Sequence, residues 1–237
     1  MKRFLRNFKS GVPWERSGVP SAGNGALMRI APVLIPHLKS PTPGLWVDGA
    51  LAAMLTHNDA GSTAGCVAFV SMLWDLLAMD SPPDPQWWLD AYVRTASELE
   101  DDTRFEPRRE AVEYYQGPIW RFVQQRVNEA FQREASVLDA CNSWYSGAYL
   151  LETVPTVIYI LMRHGHEPKE AIVRAVNDTK DNDTVAAIVG AAVGALHGRS
   201  RLPNRWIENL LGRTTDCDDG RVFQLLEAAR GKCWSAN

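Results

Sequence analysis

The sequence feature that most constrains the fold is a polar cluster at residues 178–184, followed directly by a run of small apolar residues. The cluster holds three aspartates and two threonines, and the run at residues 185–198 is rich in alanine and glycine. Such a run indicates a closely packed helix, so the carboxylates and hydroxyls lie at a helix start. They are hard oxygen ligands of the kind that Mg²⁺ or Mn²⁺ takes. Helix capping is the alternative, although three like charges within two turns repel one another. Both readings are open from these residues alone.

Composition restricts the class of protein and its compartment. A chain of 237 residues can form one large domain or two small ones, and its net charge of −3 comes from interspersed charges without a basic block, so we expect no nucleic-acid binding. The four cysteines are far apart and lack metal-site spacing, which favours free thiols and a cytoplasmic location. The basic N-terminus has no apolar core like that of a secretory signal, and the longest apolar run, residues 185–196, is too short to span a bilayer.

Apolar spacing predicts an all-α, compact multi-helix bundle with the alanine- and glycine-rich helix near its centre. Residues 1–22 contain glycine, proline and charges without a period, so we expect an irregular N-terminal arm, and residues 23–237 form one helical domain. Residues 138–146 are expected to be a loop. Pro155 is expected to kink a buried helix at residues 147–162. The remaining helices are predicted at residues 45–55, 62–79, 87–99, 119–132, 169–176, 202–211 and 222–229.

Three motifs, in this order, resemble the ADP-ribosylglycohydrolase family. They are Gly-Asn-Gly-Ala-Leu-Met-Arg at residues 23–29, followed by Ala-Pro; Thr-His-Asn-Asp at residues 56–59; and Asp-Asn-Asp-Thr at residues 181–184. Weaker similarities are found at residues 147–149 and 202–206. The order and spacing of these motifs cover nearly everything from residue 20 to residue 211. The resemblance implies a compact all-helical fold with two Mg²⁺ ions, for which Mn²⁺ is a possible substitute.

The resemblance also implies that the chain is an N-terminally truncated member. The family carries a Gly-Asp-Ala-x-Gly motif and a Thr-Asp-Asp-Thr motif before the Gly-Asn-Gly loop, and neither precedes residue 23 here. Residues 100–103 imitate the second motif, but they follow the loop and lie in a charged stretch. We therefore expect these four residues to form a solvated loop.

The resemblance assigns roles to individual residues of the chain. It implies that Asp181 and Asp183 are catalytic and that, together with Thr184, they are the metal ligands. Asp178 and Lys180 either support these ligands or are solvated. The substrate-binding residues that it implies are Ser21, Ala22, Gly23, Asn24, Gly25, Arg29, His57 and Tyr149.

Each substrate-binding assignment has a structural alternative. Residues 23–25 either wrap the diphosphate with backbone amides or form a plain turn. Arg29 reaches phosphate or pairs with an internal carboxylate, and His57 contacts substrate or is a satisfied structural histidine. Tyr149 lines the cleft or packs with its hydroxyl bonded. Trp87, Trp88, Trp120 and Trp144 are assigned to the core or to an interface.

The activity implied is Mg²⁺-dependent hydrolysis of the glycosidic bond between ADP-ribose and a modified amino-acid side chain, or of a related conjugate. Because the chain supplies one of the two ligand segments, we expect weak or absent activity from the chain alone. The rival hypothesis is a non-catalytic helical protein that binds ADP-ribose or a protein partner. The implied partner is ADP-ribose or an ADP-ribosylated protein, with no nucleic acid and no membrane. Self-association into a homo-oligomer, through apolar surface left exposed by the missing N-terminal helices, is a further expectation.

Overall fold

The computed structural model describes residues 2–39, 42–110, 112–210 and 221–233, and within these ranges it is helical with isolated β-bridges only. The all-α prediction is therefore confirmed for the part of the chain that is described. Short 3₁₀ helices span Leu27–Arg29, Ala31–His37 and Arg199–Arg201. The α-helices are α1 (Lys2–Lys9), α2 (Trp14–Ser17), α3 (Gly44–Met54), α4 (Ala60–Leu77), α5 (Pro85–Leu99), α6 (Ile119–Gln132), α7 (Val137–Trp144), α8 (Leu150–His164), α9 (Pro168–Asn177), α10 (Asn182–His197), α11 (Asn204–Leu210) and α12 (Arg221–Cys233).

The helix at the centre of the bundle is α8. Every residue from 150 to 162 is buried, and α8 contacts α5, α6, α7, α9 and α10. The central, buried position predicted for the helix at residues 147–162 is confirmed, whereas the alanine- and glycine-rich helix α10, also predicted near the centre, buries one face only. The difference follows from side-chain size, since the bulky apolar residues around all sides of α8 need neighbours on every side.

The segment predicted as a loop at residues 138–146 is largely a helix, α7. Ser136 caps this helix by accepting a hydrogen bond at its Oγ from the Asp139 N–H, at 3.1 Å. A serine cap with an acidic residue in the first turn is a strong helix-start signal. The sequence reading failed here because the helix spans only 8 residues, too few for a clear apolar period.

The expectation of an irregular arm at residues 1–22 is wrong for α1 and α2. In α1, Phe4 and Phe8 lie one turn apart, and their rings stack with centroids 5.9 Å apart. The Asn7 side chain donates to the Ser17 carbonyl oxygen at 3.1 Å, which fixes α1 against α2. Two aromatic residues at positions i and i+4 have helical spacing. The glycines and prolines of this segment hid that signal in the sequence.

The prediction of a solvated loop at residues 100–103 is wrong for the first of these residues, Glu100. Glu100 is fully buried, and its carboxylate accepts hydrogen bonds from the Thr103 hydroxyl and from the backbone N–H groups of Ile119 and Trp120. Glu100 thereby provides hydrogen-bond acceptors for the first amides of α6. The N-cap residue of that helix, Pro118, makes no side-chain capping hydrogen bond. Asp101 and Asp102 are exposed, as expected.

The tryptophan assignments to the core are consistent with the structure. Trp88 and Trp144 are buried, and Trp87 and Trp120 pack against the core while partly exposed. Residue 211, where a predicted helix ended, and Cys217 lie outside the described residues. The predicted helix at residues 222–229 corresponds to α12.

Helix α4 is long and apolar enough to cross a membrane by length and composition, with a mean hydropathy of 1.4. In this structure 67% of that stretch is buried against the rest of the protein. A core helix of a bundle and a membrane-spanning helix can have the same apolar composition. The burial of α4 is that of a core helix.

Candidate metal and substrate site

The acidic start of α10 is not organised as an ordinary helix cap. Asp181 precedes the helix, and its side chain makes no capping hydrogen bond. Its Oδ2 instead accepts a hydrogen bond from Asn24 Nδ2 at 2.6 Å. Asp183 is exposed and accepts a hydrogen bond from the Thr184 N–H at 2.9 Å. The capping alternative therefore does not account for Asp181.

Asn24 connects two of the three motifs. Its side chain is 5% exposed, and Nδ2 donates both to Asp181 and to Thr153 Oγ1, the latter at 2.8 Å. The Thr153 hydroxyl in turn donates to the Gly147 carbonyl oxygen at 2.7 Å. The amide that the resemblance assigned to substrate is thus engaged within the protein, where it orients a candidate metal ligand.

The backbone around the Gly-Asn-Gly loop is fixed against the start of α8. Residues 23 and 149 form an antiparallel bridge, the Ala22 carbonyl oxygen accepts from the Leu150 N–H at 2.9 Å, and the Asn24 N–H donates to the Ala148 carbonyl oxygen at 3.2 Å. Ser21 Oγ accepts a hydrogen bond from the N–H of residue 23 at 3.3 Å. Two of the three loop amides are therefore used internally, which leaves the amide of residue 25 for a bound anion.

His57 lies directly against the two glycines of this loop. A Cβ added at Gly25 would lie 2.9 Å from His57 Cε1, and one at Gly23 would lie 3.4 Å from Nε2. Glycine is required at residue 25 because the imidazole occupies the space of a side chain. The loop and the second motif are consequently one packed unit.

His57 is connected to Arg29 through the hydroxyl of Thr56. Arg29 Nη2 lies 2.5 Å from Thr56 Oγ1, and that hydroxyl lies 2.9 Å from His57 Nδ1. A guanidinium can only donate, so the hydroxyl accepts from Arg29, and its own proton is available to Nδ1 when that nitrogen is unprotonated. The neutral ring then carries its proton on Nε2, beside the loop. Burial, and secondarily the Arg29 charge, lower the pKa of His57, which favours this neutral form.

Arg29 braces the loop through backbone carbonyls. Its Nε donates to the Gly25 oxygen and its Nη2 to the Ala52 oxygen, both at 3.1 Å. The sequence predicts a phosphate or an internal carboxylate as its partner, whereas its internal partners are two carbonyl oxygens and a hydroxyl.

Tyr149 packs in the wall of the site. It is 5% exposed, and the Arg108 guanidinium carbon lies 3.9 Å from its ring centroid. Burial raises the pKa of the Tyr149 hydroxyl to about 12, against the opposing effect of Arg108. This arrangement corresponds to the packing alternative, with the ring face covered by a cation.

Glu152 is a site residue that the sequence reading missed. It is 6% exposed and lines a cavity of 340 Å³ together with Asp181, Arg108 and Arg109. Burial raises the pKa of Glu152, although both arginines act in the opposite direction. The available signal was an acidic residue in the first turn of a helix that is otherwise buried.

The turn before α8 is hydrogen-bonded to residues 180 and 181 of the acidic cluster. Tyr145 and Ser146 have φ values of 82° and 49°, a left-handed conformation that costs non-glycine residues free energy. Ser146 is buried and accepts from two backbone amides, that of Lys180 at Oγ and that of Asp181 at its carbonyl oxygen, each at 3.1 Å. The strained turn thereby sets the position of Asp181.

The other charged residues of the cluster have different surroundings. Asp178 pairs with Arg174 at 3.1 Å, so its carboxylate is directed towards α9. Lys180 is exposed and lines the cavity beside Asp181. A larger cavity of 630 Å³ lies between the start of α9 and the end of α10, and none of the predicted site residues lines it.

The donors at the start of α10 fit part of a Mg²⁺ coordination shell. Asp181, Asp183 and Thr184 are carboxylate and hydroxyl donors, and the buried Thr184 hydroxyl has Met28 Sδ at 3.5 Å as its side-chain partner, a weak acceptor. In the described ranges no three His, Cys, Asp or Glu side chains are grouped so as to hold a metal ion. These donors would supply only part of a Mg²⁺ shell, and Mg²⁺ commonly keeps several waters.

The described part of the chain is thus a helical bundle in which a glycine loop is hydrogen-bonded to an acidic helix start. Residues 1–233 match the family model described as ADP-ribosylglycohydrolase. The chain belongs to the ADP-ribosylglycohydrolase family, as the sequence motifs suggested.

Several relatives support this membership. The chain is 26% identical to ADP-ribosylhydrolase ARH3 of Bos taurus, over 83% of this chain and 55% of that protein. It is 25% identical to ADP-ribosylarginine hydrolase Tri1 of Pseudomonas putida, over 85% of this chain and 46% of that protein. It is 24% identical to ADP-ribosyl-[dinitrogen reductase] glycohydrolase of Rhodospirillum rubrum, over 89% of this chain and 57% of that protein. The chain spans about half the length of these relatives.

Proposed function

We propose that this protein takes part in Mg²⁺-dependent hydrolysis of the glycosidic bond between ADP-ribose and a modified amino-acid side chain, or of a related ADP-ribose conjugate. The observation that carries the proposal is the 2.6 Å hydrogen bond from Asn24 to Asp181. It joins the glycine loop to the acidic helix start, and His57 packs on the same loop. Three motifs separated in the sequence thus lie together, which supports the proposal.

The residues of this site have distinct roles in the proposed reaction. Asp181, Asp183 and Thr184 would hold Mg²⁺ or Mn²⁺, which when bound polarises substrate oxygens and lowers the pKa of water. Asn24 fixes the orientation of Asp181. The Nε2–H of His57 and the amide of Gly25 donate to phosphate or ribose oxygens.

The pKa of His57 bears on this role. Because the pKa of His57 is lowered, its Nε2 proton is presented by a neutral ring at neutral pH. A neutral donor binds an anionic oxygen by hydrogen bonding and does not depend on protonation of the ring in this pH range.

A second candidate function is binding of ADP-ribose without cleavage. It is favoured by the lack, within the described residues, of three grouped acidic, histidine or cysteine ligands. We accordingly expect slow turnover from this chain, because the acidic start of α10 provides one segment of ligands.

The experiment that tests the proposal measures ADP-ribose released from an ADP-ribosylated protein during a Mg²⁺ titration. We expect slow, Mg²⁺-dependent release that Asp181→Asn and Asp183→Asn abolish, while Asp102→Asn, an exposed acidic control, does not change it. Binding of ADP-ribose without release would favour the second candidate. Neither binding nor release would contradict both, and fast turnover by this chain would contradict the expected weak activity.

The proposal includes the partners and the compartment. The partner is ADP-ribose or an ADP-ribosylated protein. Self-association is supported by exposed apolar side chains on α1 and α2, which are Leu5, Phe8 and Trp14. The free, buried thiols of Cys66 and Cys141 support a reducing, cytoplasmic location.

A further inference from the structure

The cavity beside Asp181 has a basic lining that the proposed chemistry does not use. The cavity has a volume of 340 Å³. Its charged lining residues are the cations Arg108, Arg109 and Lys180 and the carboxylates Glu152 and Asp181. Three cations thus face two carboxylates, one of which already accepts a hydrogen bond from Asn24. The cavity has an excess of positive charge next to a candidate metal ligand.

The two guanidinium groups are held in place by stacking. Arg108 lies 3.9 Å from the ring centroid of Tyr149, and Arg109 lies 4.2 Å from that of Tyr145. Stacking uses the flat face of a guanidinium and leaves the N–H groups at its edge for an anion. Among the described residues, no ion pair within 4.0 Å involves either arginine.

Both arginines lie between residues 105 and 117, which are hydrogen-bonded to each other, and two carboxylates between these residues have other partners. Residues 105 and 117 exchange backbone hydrogen bonds of 2.8 and 3.2 Å. Glu106 accepts a hydrogen bond from Gln116 at 2.6 Å, and Glu113 pairs with Arg126 at the same distance. These carboxylates therefore do not neutralise the arginines.

We propose that Arg108 and Arg109 form a subsite for an anionic group, a phosphate or a carboxylate, on the acceptor side of the ADP-ribose conjugate. This inference rests on the proposed function, which places the glycosidic bond at Asp181. Planar guanidinium groups match the geometry of both anions. A cationic arginine acceptor would face three like charges here, so the subsite disfavours ADP-ribosylarginine, although one relative bears the name of an ADP-ribosylarginine hydrolase.

Inorganic phosphate provides a direct probe of this subsite that does not require ADP-ribose. Arginine Nε–H signals of the full chain are followed by NMR during a phosphate titration at constant ionic strength. We expect saturable shifts at Arg108 and Arg109, and none at Arg104, an exposed arginine of the same segment that lines a different cavity. Unmoved signals at residues 108 and 109, or an equal shift at Arg104, would overturn the proposal.

The source of the anion is distinguished with ADP-ribose itself. Arg108→Gln with Arg109→Gln should weaken phosphate binding at least about tenfold and leave the affinity for ADP-ribose within about twofold of the wild type. Arg104→Gln is the matched control and should change neither. If the double variant loses ADP-ribose affinity instead, the arginines bind the diphosphate and the acceptor-side assignment is wrong. If ADP-ribose does not bind while phosphate still shifts both arginines, the proposed function fails and the anion subsite stands.

Discussion

At the residue scale, the packing of His57 against the glycine loop explains why two motifs distant in sequence act as one unit. The imidazole fills the space beside Gly25, and the hydrogen-bond chain through Thr56 to Arg29 fixes the ring. The loop therefore depends on His57 for its shape. In the proposed site the same imidazole also donates its Nε2–H to a ligand.

Gly25→Ala tests this contact. The added methyl group would lie 2.9 Å from His57 Cε1, so we expect a loss of about 1–3 kcal/mol in the free energy of unfolding, measured by chemical denaturation. With His57→Ala the clash disappears, and the double variant should be more stable than the sum of the single changes implies. Gly65→Ala, where an added methyl meets nothing within 4 Å, is the control and should not destabilise. Strict additivity of the first two changes would contradict the contact.

Glu100 provides a second test, through the dependence of stability on pH. Burial raises the pKa of Glu100 above its ordinary 4.5, although amides of α6 oppose the shift. A carboxyl whose pKa is raised on folding contributes stability that is complete below the ordinary pKa and is lost as the pH rises through the folded pKa. The wild type should therefore lose free energy of unfolding, relative to Glu100→Gln, as the pH rises above 4.5. Parallel curves for the two proteins would contradict the raised pKa.

At the element scale, the packing of α7 against α8 depends on a buried hydrogen bond. Trp144 Nε1 donates to the Thr156 hydroxyl at 2.8 Å, and that hydroxyl donates to the Glu152 carbonyl oxygen at 2.7 Å. The indole thus has its partner inside the bundle, on the helix that carries Glu152 into the site.

Thr156→Val keeps the shape of this side chain and removes the hydroxyl. The buried indole N–H then has no partner, which should cost about 1–3 kcal/mol of unfolding free energy in thermal or chemical denaturation. Thr156→Ser keeps the hydroxyl and should cost less. In a Trp144→Phe background the difference between valine and threonine should shrink, and an unchanged difference would mean that the indole hydrogen bond is not responsible.

The same scale shows what the sequence could predict. The long helices α4, α5, α6 and α8 were predictable because apolar residues repeat at helical spacing over many turns. Short α7 and the stacked aromatics of α1 give too few repeats for that signal. At the site, motif positions such as Asp181 were identified from the sequence, whereas its bond to Asn24 joins residues 157 positions apart and needed the fold. Glu152 and Arg108 were missed because neither belongs to a motif.

At the scale of the whole molecule, the bundle brings the glycine loop, His57 and the start of α10 together around α8. Asn24 is the contact that links them, and the strained turn at Ser146 holds the backbone of Asp181. We propose that this arrangement presents part of a Mg²⁺-linked ADP-ribose site.

Calorimetry of ADP-ribose binding to the chain, with and without Mg²⁺, is the decisive measurement for such a site. We predict that Mg²⁺ tightens binding at least about tenfold in the wild type and in Asp102→Asn, because a cation held at the carboxylates stabilises the bound ligand. Asp181→Asn and Asp183→Asn should bind ADP-ribose with an affinity that Mg²⁺ does not change. An affinity independent of Mg²⁺ in the wild type, or a full Mg²⁺ effect in Asp181→Asn, would contradict a Mg²⁺ site at the start of α10.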